Sequence, residues 1–282
     1  MTPNSGRLAT SLDSEQQEWK TLSYHKNKIL LIAGGSDPMG SEIDGTQDSE
    51  YNRAHSFAGR LTDPGRIFAD YEAVNICAGG ISNSFILRNT LLWFDKYYDP
   101  DFTEVYVIVG WADSARWEIP SMLSSDVYGN NPHAQWLAEE NNDYLSVNLG
   151  WIHPDRPDFP DQEHNQKIYH EFITNFTEQM ELNSLNFALQ LQWFLKSKNV
   201  PYLMIDTLHN VKLEDSIFNT PYANMIDQKR YINFGKPQDA FYYKYEKLGY
   251  TNPKAQYYHH GEDAHLHYSH TLEDHILKHN LL

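Results

Sequence analysis

Lys28-Ile29-Leu30-Leu31-Ile32-Ala33-Gly34-Gly35-Ser36 decides how the chain is read. Its apolar residues run without alternation and stop at two glycines. A strand with one wet face would alternate, so this pattern fits a strand buried on both faces, as in a parallel sheet. Two more runs share its form: Ala73-Val74-Asn75-Ile76-Cys77, and Glu104-Val105-Tyr106-Val107-Ile108-Val109-Gly110 with its β-branched residues. Pro201-Tyr202-Leu203-Met204-Ile205-Asp206 makes a fourth. Between them lie helical patterns. From Ser84 to Tyr98, residues Phe85, Ile86, Leu91, Leu92 and Phe94 recur at helical spacing. Asn165 to Lys198 is a long amphipathic stretch, read as one helix or two, that ends in the lysines and Asn199 of a helix stop. A last helix runs from about Glu262 to Asn280. Strands alternating with helices predict an α/β fold: a mostly parallel central sheet between two helical layers.

Ligands of such sheets bind beyond the carboxyl ends of the strands. Here the first three strands run into glycine-containing turns: Gly34-Gly35-Ser36, Ala78-Gly79-Gly80 and Gly110-Trp111. Residues 1–27 read as a polar extension and 28–282 as one α/β domain. Residues 115–165, rich in Pro, Asn, Asp and Trp around Trp151-Ile152-His153-Pro154, read as an insertion over the strand ends. Residues 207–258 show no regular pattern.

The 282 residues are 40% hydrophobic and 14% aromatic, enough to bury a core. Acidic residues number 38 against 22 basic ones, and the resulting −16 argues against nucleic acid or an anionic membrane as partner. Cys77 stands alone, so an intrachain disulfide and a cysteine zinc site are excluded. It reads as a small buried apolar residue. No apolar run approaches the ~18 residues of a membrane span, and the N-terminus has no secretion pattern. The expected setting is cytoplasmic, or a virion assembled there.

Ser36 follows the first strand at a strand-to-helix turn, where backbone N–H groups can face a developing negative charge. The other reading is a hydroxyl that caps the next helix. Gly34-Gly35-Ser36-Asp37-Pro38-Met39-Gly40 does not match the spacing of a dinucleotide loop. Its Gly34, Ser36 and Gly40 resemble the first block of the SGNH (GDSL-like) hydrolases, especially the Gly-Cys-Ser-Phe-Thr-x-Gly of phage-encoded members. Asn75-Ile76-Cys77-Ala78-Gly79-Gly80-Ile81-Ser82-Asn83 is similar to their second block, and Gly110-Trp111-Ala112-Asp113 to their third. His260-Gly261-Glu262-Asp263-Ala264-His265 resembles their last block, His-Pro-x-x-x-His.

The resemblance implies a flavodoxin-like three-layer sandwich and a serine esterase. Ser36 is then the nucleophile and His260 the base, with His259 as competitor. Gly80 inherits the oxyanion N–H. Asn83 is either a second oxyanion donor or a helix cap. Two departures stand out. Ala112 occupies the place of the oxyanion-hole Asn, and Tyr257 the place of the Asp that orients the base. Arg116 either replaces the missing donor with a positive charge or pairs with Asp113 or Glu118; Asp113 is the other polar candidate there. Asp206, Asp263 or a backbone carbonyl is left to orient the imidazole. No cofactor is implied. His275 and His279, one turn apart, offer two metal ligands or a solvated helix face, and no metal is assigned. The acidic run Glu42 to Glu50 lacks the spacing of a calcium loop and reads as a solvated loop.

The implied substrate is a carbohydrate ester such as an O-acetylated glycan, which the aromatic insertion would suit. The alternative is a catalytically degenerate structural or binding protein of the same fold, with virion or homo-oligomer contacts.

Overall fold

Lys28–Gly34 forms strand β1, and every residue after Lys28 in it is buried. The structure, a computed structural model, describes residues 27–101, 103–120, 144–147, 162–208, 221–256 and 259–282. The expected extension over residues 1–27, apart from Asn27, and the aromatic centre 151–160 lie outside the described residues.

In chain order, β1 leads into the one-turn helix α1 (Ser36–Met39) and then α2 (Glu50–His55). Strand β2 (Glu72–Asn75), helix α3 (Asn83–Tyr97) and strand β3 (Glu104–Trp111) follow. Strands β4 (Trp117–Pro120) and β5 (Tyr144–Val147) pair antiparallel to each other, outside the main sheet, within the predicted insertion. Then come α4 (Gln162–Ser197), β6 (Tyr202–Asp206), β7 (Tyr231–Ile232), α5 (Phe241–Lys247) and α6 (Glu262–His279).

The main sheet runs β2-β1-β3-β6-β7 and is parallel at every pairing. Alternate side chains of one strand enter different layers. Ile29, Leu31, Val105, Val107, Val109 and Met204 face one core, closed by Phe85, Trp93 and Phe94 of α3 and Leu185, Leu189 and Leu195 of α4. Leu30, Ile32, Tyr106, Ile108, Leu203 and Ile205 face the other, closed by Phe241 and Tyr245 of α5 and Tyr268, Leu272 and Ile276 of α6. Each fully buried Leu or Ile stabilises the fold by roughly 1.5–3 kcal/mol. The fold is thus a three-layer α/β/α sandwich whose central sheet is parallel throughout.

Two stretches add to the sequence pattern. The stretch read as one helix or two is one helix of 36 residues. It ends where Asn199 takes φ 56°, with Val200 N–H donating to the Leu195 carbonyl at 3.0 Å and Asn199 N–H to that of Lys196 at 3.1 Å. That is the Schellman closure, and it explains why the asparagine follows the lysines. The stretch read as irregular carries β7 and α5. A two-residue strand between short turns leaves no periodicity to read. Among the described residues no helix is long and apolar enough to cross a membrane.

His265 of α6 is fully enclosed, and its Nδ1 accepts the Phe57 N–H at 3.1 Å. Burial, aided by His260, His259 and Arg60, lowers its pKa to about 3, so the imidazole is a neutral acceptor that joins α6 to the chain after α2.

Gly40 ends α1 at φ 81°, and a Cβ there would lie 2.2 Å from the Asn52 carbonyl oxygen. Left-handed strain and a backbone clash combine at that position. Gly40→Ala is expected to lower unfolding stability by about 2–4 kcal/mol, read from the shift of the urea midpoint.

Candidate active site

The chain order places β1 between β2 and β3, so successive connections leave β1 in opposite directions. The crevice beyond its carboxyl end is the switch point of the sheet. Gly34 and Gly110 are register partners at this edge. A Cβ on Gly34 would sit 2.4 Å from Pro38 Cγ and 2.6 Å from the Gly110 oxygen. One on Gly110 would meet Pro38 and Thr207 at 2.8 Å. Only glycine allows the two strand ends and the Pro38 ring to pack this tightly.

That packing sets Ser36 at the start of α1. Gly35 is the N-cap and no side chain caps the turn, so Ser36 is not the helix cap that the sequence left open. Ser36 is 9% exposed, and its hydroxyl makes no hydrogen bond among the described residues. Beside it, a Cβ on Gly35 would lie 3.7 Å from Ala112 Cβ and 4.0 Å from Arg116 Nη1. The small Ala112 therefore leaves the guanidinium room to reach the serine turn. Arg116 and Asp113 do come together along the chain, through Arg116 N–H to the Asp113 carbonyl at 3.1 Å. The Asp113 carboxylate accepts the Ala115 N–H at 2.8 Å and so shapes the turn. The side chain of Glu118 lies outside the described residues.

Asn83 does not serve as an oxyanion donor. Its Nδ2 donates to the Ala112 carbonyl and to Ser184 Oγ, both at 3.0 Å, while its Oδ1 accepts the Ala112 N–H at 2.8 Å. Both amide hydrogens are thereby engaged. Nor is it the cap: Ser82 is, accepting the Phe85 N–H at 3.2 Å. Asn83 instead clamps α3 to the end of β3. Gly80 lies in the turn before it at φ 75°, a conformation that favours glycine and aims the turn's amides.

A buried cation holds the neighbouring turns. Arg53 grips Asp48 through two bonds of 2.8 Å and donates from Nη1 to the carbonyls of Asn75 and Cys77 at 2.7 and 3.2 Å. Asn75 in turn donates to the Pro38 carbonyl at 3.1 Å. One guanidinium thus ties the loop before α2 to the end of β2, and Asn75 ties β2 to α1. Asp44 is engaged likewise, by Thr46 and Ser49. The loop read as solvated is an internally bonded knot, and the short polar partners within it are the reason.

Two imidazoles reach this edge. His260 donates its Nε2–H to the Tyr242 carbonyl at 2.8 Å and is 5% exposed. Of the three partners the sequence allowed, it is the backbone carbonyl that meets His260. Asp206 is held by the Tyr231 hydroxyl at 2.6 Å, and Asp263 is exposed on α6. His259 Nδ1 lies 2.6 Å from Glu42 Oε2, a contact the sequence did not suggest. Glu42 and His259 are 217 positions apart, so no spacing or period could have joined them.

Asp37, next to Ser36, is fully buried. Burial raises its carboxyl pKa, against the opposing influence of His259, His260, Arg116 and the Thr207 hydroxyl. Both imidazoles and the guanidinium thus act electrostatically on the residue next to Ser36. His275 and His279 stack 4.5 Å apart at the far end of α6, with His275 Nε2 on the Lys229 carbonyl. No three metal-ligating side chains converge among the described residues.

Residues 41–282 match the model of a family described only as of unknown function (DUF6071). No curated protein matches the chain.

A carboxyl whose folded-state pKa exceeds the unfolded value of about 3.9 binds its proton more tightly in the folded chain. Folding then bears no penalty below about pH 4, and the penalty grows as pH rises toward the folded value. Asp37→Asn is therefore expected to melt higher than wild type at pH 7–8, with the two melting temperatures converging as pH falls toward 4 in scanning calorimetry.

Proposed function

We propose that this chain, which belongs to the DUF6071 family, is a serine ester hydrolase. The observation that carries the reading is the convergence at the sheet's switch point. Ser36 opens a glycine-set turn, the Arg116 guanidinium stands beside Gly35, and the imidazoles of His259 and His260 bear on the adjoining Asp37. This is the order of groups that acyl transfer needs.

Ser36 Oγ attacks the ester carbonyl carbon and passes its proton to an imidazole of the His259–His260 pair. The carbonyl oxygen takes the negative charge, facing the backbone N–H groups of Ser36 and Gly80 with Arg116 as the cationic neighbour. Arg116 takes the place that the oxyanion-hole Asn of the SGNH hydrolases would fill, where this chain has Ala112. The intermediate collapses as the alkoxide leaves with the imidazole's proton. Water, deprotonated by the same imidazole, then releases the acid from Ser36. A carbohydrate ester, such as an O-acetylated glycan, is the substrate class that the resemblance and the aromatic residues of the insertion favour.

A second reading has its own support. Ser36 is nearly enclosed and bonds to neither imidazole among the described residues. A fold that keeps its frame but has lost its chemistry would look the same: a binding or structural module, of a virion or of a homo-oligomer.

Labelling with a fluorophosphonate, read by intact mass, separates the two. Wild type is expected to gain one adduct and Ser36→Ala none. A folded wild type that stays unlabelled would favour the module.

A further inference from the structure

We infer that His259, rather than His260, is the general base for Ser36, and that Glu42 is the positioning residue that orients it. The inference rests on the ester-hydrolase reading above.

Glu42 sits in the loop after α1 with φ 65°, a left-handed conformation that costs a non-glycine residue about 1 kcal/mol or more. It is 1% exposed. A glutamate in a strained and buried position must be held by its surroundings, and each of its polar groups is. Its N–H donates to the Thr46 carbonyl at 2.9 Å, and its carbonyl accepts from Asn252 Nδ2 at 2.9 Å. Oε1 accepts the Gln256 N–H at 2.8 Å and, more weakly, Gln47 Nε2 at 3.4 Å. Oε2 is the atom that meets His259 Nδ1 at 2.6 Å. The carboxylate is therefore fixed on one oxygen and aimed at the imidazole with the other.

A carboxylate accepts only, so Nδ1 is the protonated nitrogen of His259, and Nε2 keeps the lone pair a base needs. The same carboxylate stabilises the imidazolium that forms when the serine proton arrives. His260 offers less. It meets a neutral carbonyl, and its ring is wedged among Phe241, Tyr242 and Tyr245 at centroid distances of 5.6, 5.2 and 6.1 Å. With Nε2 on the Tyr242 carbonyl, its remaining nitrogen is Nδ1, the one beside its own main chain.

In the proposed step, Oγ–H of Ser36 breaks, its proton forms an N–H bond at His259 Nε2, and Oγ bonds to the acyl carbon. With a fluorophosphonate, Oγ bonds to phosphorus and fluoride leaves.

The test compares wild type, Ser36→Ala, Glu42→Gln, His259→Gln and His260→Gln. It measures the second-order rate of fluorophosphonate labelling, melting temperature, and the nitrogen-15 shifts of the imidazoles, which report the tautomer. Glu42→Gln keeps the shape but can donate to Nδ1 and so favours the wrong tautomer. The matching carboxylate-to-amide exchange in a serine protease lowers kcat about 10⁴-fold. Glu42→Gln and His259→Gln are expected to label at least about 10³-fold more slowly than wild type, and His260→Gln less than about tenfold more slowly. His259 should be the Nδ1–H tautomer in wild type and the Nε2–H tautomer in Glu42→Gln. If His260→Gln abolishes labelling while His259→Gln and Glu42→Gln label at nearly the wild-type rate, the inference is wrong and the hydrolase reading stands. Losses that only track the folded fraction reduce the pair to a latch between loops, which also overturns it. Should Glu42→Gln not fold, His259→Gln and the wild-type tautomer decide. An unlabelled wild type removes the hydrolase reading, and this inference with it.

Discussion

At the carboxyl end of the sheet, β1 and β3 approach each other more closely than any residue with a side chain would permit. Gly34 faces Gly110 across the register, the Pro38 ring covers both, and Thr207 closes in from the end of β6. The position of Ser36 follows from this contact, since the chain must turn at once after Gly34 and can do so only along Gly35 into α1. Ala112 and Arg116 follow from it too, because β3 ends against the same turn. A Cβ at either glycine would push the Pro38 ring, and with it the turn that carries Ser36, off the strand ends.

Around that contact the protein places polar groups where a core would ordinarily be apolar. Arg53, Asp48, Asn75, Glu42, Asp37, Asn83 and His265 are all largely withdrawn from water, and bringing such groups inside is favourable only when their bonds are made. Most of those bonds run between loops rather than within elements. Arg53 joins the loop before α2 to the end of β2, Asn75 joins β2 to α1, and Asn83 joins α3 to β3. Losing one partner would leave a buried charge or amide unanswered, which costs more than the bond itself contributes. The loops at this edge therefore behave as one rigid piece. Precise geometry can rest on them although they carry little regular structure.

The frame of the molecule was legible because it depends on local pattern. The unbroken apolar runs Lys28–Gly34 and Glu104–Gly110 could only be two-sided strands, and the helical spacing of Phe85, Ile86, Leu91 and Phe94 marked α3. Ser36, Gly80 and Arg116 could be singled out because short motifs follow strand ends, and His260 because it precedes the last helix. The rest escaped for a common reason. β7 is two residues long and α5 seven, too short for a period to show. Glu42 was read as one carboxylate of a solvated loop, since nothing near it in sequence says that its partners are Gln256 and His259. Asn83 was placed correctly at the start of its helix, yet its partners Ala112 and Ser184 come from elsewhere in the chain. Sequence pattern reports what neighbours along the chain do together. Long-range polar pairing leaves no such trace.

The Glu42–His259 contact has a temporal side. The ribosome makes Glu42, Ser36 and the whole of the sheet through β7 well before it makes the imidazoles. The core face closed by Tyr268, Leu272 and Ile276 waits for the same C-terminal segment, since those residues follow the imidazoles in the chain. Closing a loop of more than two hundred residues adds little entropy beyond a shorter one, because the penalty grows only with the logarithm of length. On the proposed reading, Ser36 gains its base together with the second core face, in one late closure of the chain.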